Sequence, residues 1–270
     1  MIDGHGDNNY QYEQSHWYDC LWAALIFFTR LPFWRIYQPP KVAYQGVVEF
    51  WPLAGWITAG MMAGVLYGAS LVFSYEIAII LAIASRLLLT GALHEDGLAD
   101  FFDGFGGGGG DRQRILAIMK DSHIGTYGVL ALVVYLALLF FALYSLRPID
   151  AALTILAVDP YAKMIGAQVV QMMPYARTEL TAKNRTVYRK ISTSAGIGLA
   201  IQGLLPIGLY LWWMKDRIDW TMLVFLPCLT MYFLYLFIWR RLRGYTGDCC
   251  GTLFLLTELT AYIVVSYFLA

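Results

Sequence analysis

Charged side chains are scarce in this chain of 270 residues. They make up 14% of it, whereas 59% of the residues are hydrophobic and the mean hydropathy is +0.56. Soluble domains average about 25% charged residues, and a soluble core of this size cannot cover so much apolar surface. The 19 basic and 19 acidic residues cancel, so no net field favours nucleic acid or an acidic partner. The composition therefore excludes an ordinary soluble protein and predicts an integral membrane protein.

Cysteine is scarce as well, with four residues that show neither C-x-x-C nor zinc-site spacing. Because the adjacent Cys249 and Cys250 are poorly placed for a disulfide, we expect free thiols facing a reducing side. The first residues lack a basic stretch followed by an apolar one, so no cleaved signal is expected. Without a soluble domain, an internal repeat or coiled-coil heptads, the sequence predicts a single polytopic membrane domain over residues 1–270.

Long apolar runs alternate with short polar ones, as expected of membrane-spanning helices. Since roughly 20 helical residues cross a bilayer core of about 30 Å, the fold class predicted is an all-α integral membrane protein with about seven transmembrane helices. The predicted spans are 47–73, 77–92, 124–146, 151–173, 195–214, 220–239 and 252–269. Within the N-terminal segment 1–46, residues 17–28 are too short to span and predict a helix lying in the membrane interface.

The basic residues divide unequally between the two sides of these spans. Fourteen lie on one side, three on the other, and Arg86 and Lys163 lie within spans. The positive-inside rule therefore predicts a cytoplasmic N-terminus and cytoplasmic second, fourth and sixth loops. Charges inside a span need partners, so we expect Arg86 to pair with Glu258 and Lys163 to pair with Asp159 at i, i+4. The second pair serves either the structure or substrate binding.

The second loop, residues 94–123, holds six of the nineteen acids. Asp96, Asp100 and Asp103 follow an i, i+4, i+7 spacing, so a helix would place all three carboxylates on one face. A divalent cation would remove their mutual repulsion, and carboxylate oxygens with waters suit Mg²⁺. The alternative is a solvated acidic loop, which the apolar and glycine neighbours disfavour.

Groups suited to phosphate surround these acids. Glycines, including the run 106–110, let a ligand approach the backbone, although such a run is also typical of a flexible linker. Residues 111–120 predict a short amphipathic helix whose Arg112 and Arg114 would meet either a substrate diphosphate or anionic lipid headgroups. For Lys120 we favour the substrate.

Two long motifs carry a resemblance to a known family. They are T-G-A-L-H-E-D-G-L-A-D at 90–100 and I-M-K-D-S-H-I-G-T-Y-G-V-L-A-L-V at 118–133. Shorter matches are F-T-R-L-P at 28–32, F-W-P-L-A-G at 50–55, P-Y-A-R at 174–177, G-Y-T-G-D at 244–248 and L-T-E-L at 256–259. With these motifs the chain resembles the cobalamin synthase family of adenosylcobinamide-GDP ribazoletransferases. After P-Y-A-R the family often continues with a glycine-rich turn, from which residues 178–181 depart.

The resemblance implies a transferase reaction in vitamin B12 synthesis. The 3′-hydroxyl of α-ribazole, or of its 5′-phosphate, would attack the cobinamide-side phosphate of adenosylcobinamide-GDP and release GMP. The family further implies a prokaryotic inner-membrane protein with its catalytic loops in the cytoplasm, and a homo-oligomer is an open possibility.

The resemblance also implies roles for residues. Asp96 and Asp100 would hold Mg²⁺, with Asp103 as a third ligand or as the general base. His94 is the other candidate base, because its unperturbed pKa of about 6.5 suits proton removal; alternatively it bonds a helix end. Asp248 would complete the metal shell, bind substrate or cap a helix. The remaining candidate substrate-binding residues are Arg30, Lys120, Asp121, His123, Thr126 and Arg177.

Two rival functions fit the composition. A CDP-alcohol phosphatidyltransferase also uses an aspartate-rich helix, but its pattern requires Ala-Arg where this chain has Ala99-Asp100. A transporter would carry its charges near the midplane of broken helices, whereas these carboxylates gather at one membrane face.

Overall fold

The structure is a computed structural model that describes residues 15–177 and 187–270, and helices dominate these residues. The α-helices are α1 (Trp17–Phe28), α2 (Trp51–Ser70), α3 (Tyr75–Thr90), α4 (Leu93–Gly107), α5 (Arg112–Ile118), α6 (Thr126–Tyr144), α7 (Pro148–Ala167), α8 (Val169–Met172), α9 (Thr193–Trp213), α10 (Trp220–Leu242) and α11 (Gly247–Leu269). Two 3₁₀ helices, Phe33–Arg35 and Lys41–Phe50, precede α2. The departure at 178–181, and Lys183 and Arg185 of the charge count, lie outside the described residues.

Six helical segments among the described residues are long and apolar enough to cross a membrane. They are Lys41–Ser70, Thr126–Tyr144, Pro148–Met172, Thr193–Trp213, Trp220–Leu242 and Gly247–Leu269. Each corresponds to one of the predicted spans. The remaining prediction, 77–92, falls on α3, which passes the same test only together with α4, and these two helices meet at an angle of 89°.

The sharp bend between α3 and α4 has a local cause. Gly91 and Ala92 have φ values of +65° and +55°, in the left-handed region that ends a helix. A Cβ atom on Gly91 would lie 2.7 Å from Nη2 of Arg30, whose backbone N–H donates to the carbonyl of Leu89 at 2.6 Å. Glycine is therefore required here both by the backbone and by the contact with Arg30. The acidic stretch that we expected to be a loop thus begins as helix α4.

Helices α7 and α11 form the centre of the bundle, and their buried charges are paired. Nη1 of Arg86 lies 2.8 Å from both carboxylate oxygens of Glu258, and Lys163 pairs with Asp159. Both expected ion pairs are confirmed. An unpaired charge left in such a core costs about 3–5 kcal/mol. The Arg86–Glu258 pair therefore holds α3 against α11, while Asp159 and Lys163 compensate each other's charge within α7.

Candidate active site

A cavity of about 130 Å³ lies at the end of the bundle where α4 and α11 begin. Four of the residues predicted from the sequence line it: His94, Asp96, Arg177 and Asp248. They come from three separate motifs, so the fold brings together residues up to 154 positions apart in sequence, Asp248 being the last and His94 the first. The cavity is the candidate active site.

Two glycines allow the close approach of α4 and α11 that forms this cavity. A Cβ on Gly97 would lie 3.1 Å from Cα of Asp248, and a Cβ on Gly251 would lie 3.1 Å from the carbonyl oxygen of His94. The hydroxyl of Thr252 also donates to the carbonyl of Gly97 at 3.3 Å. The glycines of the H-E-D-G and G-D-C-C-G stretches therefore set the distance between the two helix starts that carry Asp96 and Asp248.

The chain after α8 completes the wall that faces these helices. The N–H of Ala176 donates to the carbonyl of Tyr245 at 2.7 Å, and the N–H of Tyr245 donates to the carbonyl of Pro174 at 3.0 Å. A Cβ on Gly244 would lie 2.7 Å from that same carbonyl oxygen of Pro174. This pairing brings Arg177 to the cavity beside the start of α11.

One side of the cavity is aromatic. The rings of Phe28 and Trp51 stack with centroids 5.4 Å apart, the ring of His94 lies parallel to Trp51 at 5.8 Å, and Phe254 meets His94 edge-on at 4.8 Å. Trp51 is 2% exposed and His94 is 4% exposed. Nε1 of Trp51 and Nε2 of His94 are buried and have no hydrogen-bond partner among the described residues. Buried nitrogen atoms without partners are uncommon in folded proteins, so we take these two as candidate contacts for a ligand.

Two tyrosines extend the aromatic wall from the other side. Tyr175 and Tyr188 both line the cavity. Burial raises the pKa of Tyr175 to about 12 and raises that of Tyr188 well above its ordinary value. Both hydroxyls therefore stay protonated near neutral pH and act as hydrogen-bond donors or acceptors.

Two of the predicted carboxylates, Asp96 and Asp248, line the polar side of the cavity, and Asp100 lies outside the lining. Asp96 is exposed, Asp100 is half-buried one turn later on α4, and Asp248 accepts a hydrogen bond from the hydroxyl of Thr246 at 3.2 Å. Within the described residues, no group of three or more His, Cys, Asp or Glu side chains is placed to hold a metal ion. A metal here would take one or two carboxylates and complete its shell with substrate oxygens and water, which is how Mg²⁺ commonly binds.

Asp103 has different partners. It is 7% exposed, and its two carboxylate oxygens accept hydrogen bonds from the N–H groups of Gly125 at 2.7 Å and Gly128 at 2.9 Å. A carboxylate in this position satisfies the unpaired amides at the start of α6 and interacts favourably with the helix dipole. The role of Asp103 as metal ligand or base stays a prediction, while its geometry is that of a cap that joins α4 to α6.

This geometry predicts that Asp103→Ala lowers the free energy of unfolding by about 1–3 kcal/mol, because the amides of Gly125 and Gly128 lose their acceptor. Asp103→Asn keeps one acceptor oxygen and should lose less. The thermal unfolding midpoint in detergent measures both changes. An unchanged midpoint in Asp103→Ala together with lost activity would instead assign the carboxylate to the chemistry.

The other predicted residues are not part of the cavity lining. Nδ1 of His123 lies 2.6 Å from Asp121, and the bonds from His123 lower the pKa of that exposed carboxyl. Thr126 is exposed at the start of α6, and Arg30 lies against the α3–α4 bend. Lys120 lines a neighbouring groove that shares Arg177 with the cavity.

Sequence reasoning missed the aromatic lining. Phe28, Trp51, Tyr175 and Thr246 each belong to one of the short motifs, so a signal for them was present in the sequence. Tyr188 belongs to none of those motifs and follows residues 178–186.

The class that fold and site define is an all-helical membrane protein of the multi-pass type, with a polar and aromatic cavity at one end of its bundle.

Comparison with known proteins makes the class specific. The sequence profile described as cobalamin-5-phosphate synthase matches residues 20–266, and the chain belongs to this family. A protein named adenosylcobinamide-GDP ribazoletransferase from Leptospira interrogans is 30% identical over 248 residues, which cover 90% of this chain and 93% of that protein. Proteins of the same name from Leptothrix cholodnii and Vibrio parahaemolyticus are each 34% identical, with 89% and 91% of this chain covered and 92% and 91% of theirs. No solved structure matches this chain.

Proposed function

We propose that this protein transfers the adenosylcobinamide-phosphate group of adenosylcobinamide-GDP to α-ribazole or α-ribazole 5′-phosphate and releases GMP. The observation that carries the proposal is the similarity of about nine-tenths of the chain to proteins named for this activity. The cavity supports it, because His94, Asp96, Arg177 and Asp248 from three motifs share one lining.

The reaction is a displacement at phosphorus. The ribose 3′-oxygen forms a bond to the cobinamide-side phosphorus, the bond from that phosphorus to the bridging oxygen breaks, and GMP leaves with the electron pair. The hydroxyl proton passes to a base. His94 lies in the cavity wall with a nitrogen that lacks a partner among the described residues, so we assign it the role of base and keep Asp103 as the alternative.

Magnesium fits the donor set, because Asp96 and Asp100 offer carboxylate oxygens one turn apart on α4. When bound, Mg²⁺ neutralises the charge that develops on the leaving phosphate. The chain's own groups position the reactants: the aromatic wall excludes water, and Arg177 places positive charge in the cavity lining.

The assay that tests the function uses purified protein with Mg²⁺ and defined substrate pairs. We expect GMP from adenosylcobinamide-GDP with α-ribazole or its phosphate, and no CMP from a CDP-alcohol with a second alcohol. CMP release without GMP release would replace the proposed reaction with the phosphatidyltransferase reaction.

We further propose that α3 and α4 complete seven spans and that the cavity faces the cytoplasm of a prokaryotic cell. Of the basic residues that the structure describes, twelve belong to the segments on the cavity side and three to the other side, which supports this orientation. A Cβ on Gly110 meets no atom within 4 Å, so a cysteine fits there without strain.

The orientation predicts that Gly110→Cys reacts with a membrane-impermeant thiol reagent only after the cytoplasmic side is opened. Lys215→Cys, in an exposed position on the other side, serves as the matched control and should react in intact cells. Labelling of Gly110→Cys in intact cells would reverse the orientation. The unsubstituted chain, whose cysteines are buried or half-buried, gives the background.

A further inference from the structure

A second cavity, of about 390 Å³, lies beside the candidate active site. Its lining consists of one face of α5 and the chain after α8: Arg112, Gln113, Leu116, Ala117, Lys120, and Ala176 with Arg177. Arg177 belongs to the linings of both cavities. The lining of this basic groove, taken over the described part of the chain, carries three cationic side chains and no carboxylate.

The two arginines are held in place by backbone carbonyls. Arg112 donates from Nε to Leu242 at 2.7 Å and from Nη2 to Ala176 at 2.6 Å, and Arg177 donates from Nη2 to Leu116 at 2.8 Å. A guanidinium carries five N–H donors in a fixed fork, so both side chains keep donors for a ligand while their positions are already fixed. Cations that are preorganised in this way bind an anion with less loss of conformational entropy.

Two further features favour an anion in the groove. Nε of Arg177 is buried and has no partner among the described residues. Asp121, the carboxylate next to Lys120 in sequence, is bound by both the backbone N–H and the ring of His123. In the described part of the chain, Asp121 pairs with His123 and forms no ion pair with Lys120.

We propose that this basic groove binds the 5′-phosphate of the acceptor nucleoside, whose base and ribose lie in the adjoining aromatic cavity. The proposal rests on the proposed function and assigns Arg112, Lys120 and Arg177 to the phosphate of the acceptor. A flat heterocyclic base suits the wall of Phe28 and Trp51. A phosphate monoester carries a charge of about −1.5 to −2 at neutral pH, which the three cations match. Because Arg177 borders both cavities, a single ribose can present its 3′-hydroxyl to one cavity and its 5′-phosphate to the other.

The test compares the KM values of the two acceptors in phospholipid-free detergent micelles. Lys120→Gln should raise the KM for α-ribazole 5′-phosphate about tenfold, through loss of one charge-assisted hydrogen bond, and leave the KM for α-ribazole unchanged. Lys120→Arg keeps the charge and should restore most of the affinity. Lys41→Gln removes an exposed lysine outside both linings and should change neither value.

The outcomes separate the possible occupants. Equal changes for both acceptors, or no change for either, would overturn the proposal. A phospholipid headgroup offers the same phosphate chemistry; if Lys120→Gln weakens binding to vesicles of anionic phospholipid but leaves the ratio of the two KM values intact, the groove binds lipid and the proposal fails. Failure of the proposed function gives a different result, namely no GMP from the unsubstituted protein with either acceptor.

Discussion

Asp100→Asn is expected to lower the rate of GMP release by at least about 10²–10³, the usual loss when a group that stabilises transition-state charge is removed. Asparagine has nearly the same volume as aspartate, so the half-buried position on α4 should keep its packing. The substitution removes a negative charge and a carboxylate oxygen that we assign to the metal, one turn from Asp96. The chain should therefore insert and fold while turnover is lost.

Asp111→Asn provides the matched control. Asp111 precedes α5, and its carboxylate accepts hydrogen bonds from the N–H groups of Gln113 at 2.8 Å and Arg114 at 3.4 Å. Asparagine caps a helix about as well as aspartate, so this variant should keep most of its activity. The rate of GMP release and its dependence on Mg²⁺ concentration measure both variants. Equal activity in the two would remove the assignment of Asp100 to the metal.

His94→Phe is the second substitution with a large expected effect, because it removes both ring nitrogens and retains an aromatic ring. We expect kcat to fall by about 10²–10⁴, the usual contribution of a positioned general base. The stack with Phe28, Trp51 and Phe254 needs a flat ring at this position, so the thermal unfolding midpoint should change little. His94→Ala would leave a hole in the stack and lose stability in addition, by about 2–4 kcal/mol.

The pH dependence distinguishes the base from a packing residue. The acidic limb of the rate profile reports protonation of the base, so residual activity in His94→Phe should lack that limb. If the variant keeps the acidic limb and most of kcat, the proton goes to another group, with Asp103 as the first candidate. Binding of adenosylcobinamide-GDP should be similar in both proteins, because the imidazole is not assigned to the diphosphate.

Much of the bundle followed from composition and apolar run length. Six predicted spans have counterparts among the six candidate spans, since burying backbone in lipid requires long apolar helices. Helix α1 has the predicted bounds 17–28. The pairs Arg86–Glu258 and Asp159–Lys163 were also predictable, because an isolated charge in a bilayer is costly enough to require a partner.

The bend at Gly91 was harder to predict. Residues 77–92 and 93–107 differ in polarity, so the sequence indicates a span followed by a loop. No local rule predicts that residues 93–107 form a second helix at an angle of 89° to the first. Ala92 adopts the left-handed conformation, which is unusual for a residue with a side chain, and its N–H donates to the carbonyl of Leu87 at 2.9 Å. Arg30 lies against the glycine before it.

The sequence by itself determined the class of protein, the places of six of its long apolar helices, and the motif residues that we propose for the chemistry, because these depend on composition and on local order along the chain. Only the tertiary structure decided which of those residues meet. It placed His94, Asp96, Arg177 and Asp248 around one cavity and added Trp51 to the cavity wall. It also placed the carboxylate of Asp103 where it accepts hydrogen bonds from the amides at the start of α6. The physical reason is that these distances depend on the packing of helices distant in sequence, above all on the contact of α4 with α11 through Gly97 and Gly251, which no spacing within either motif specifies.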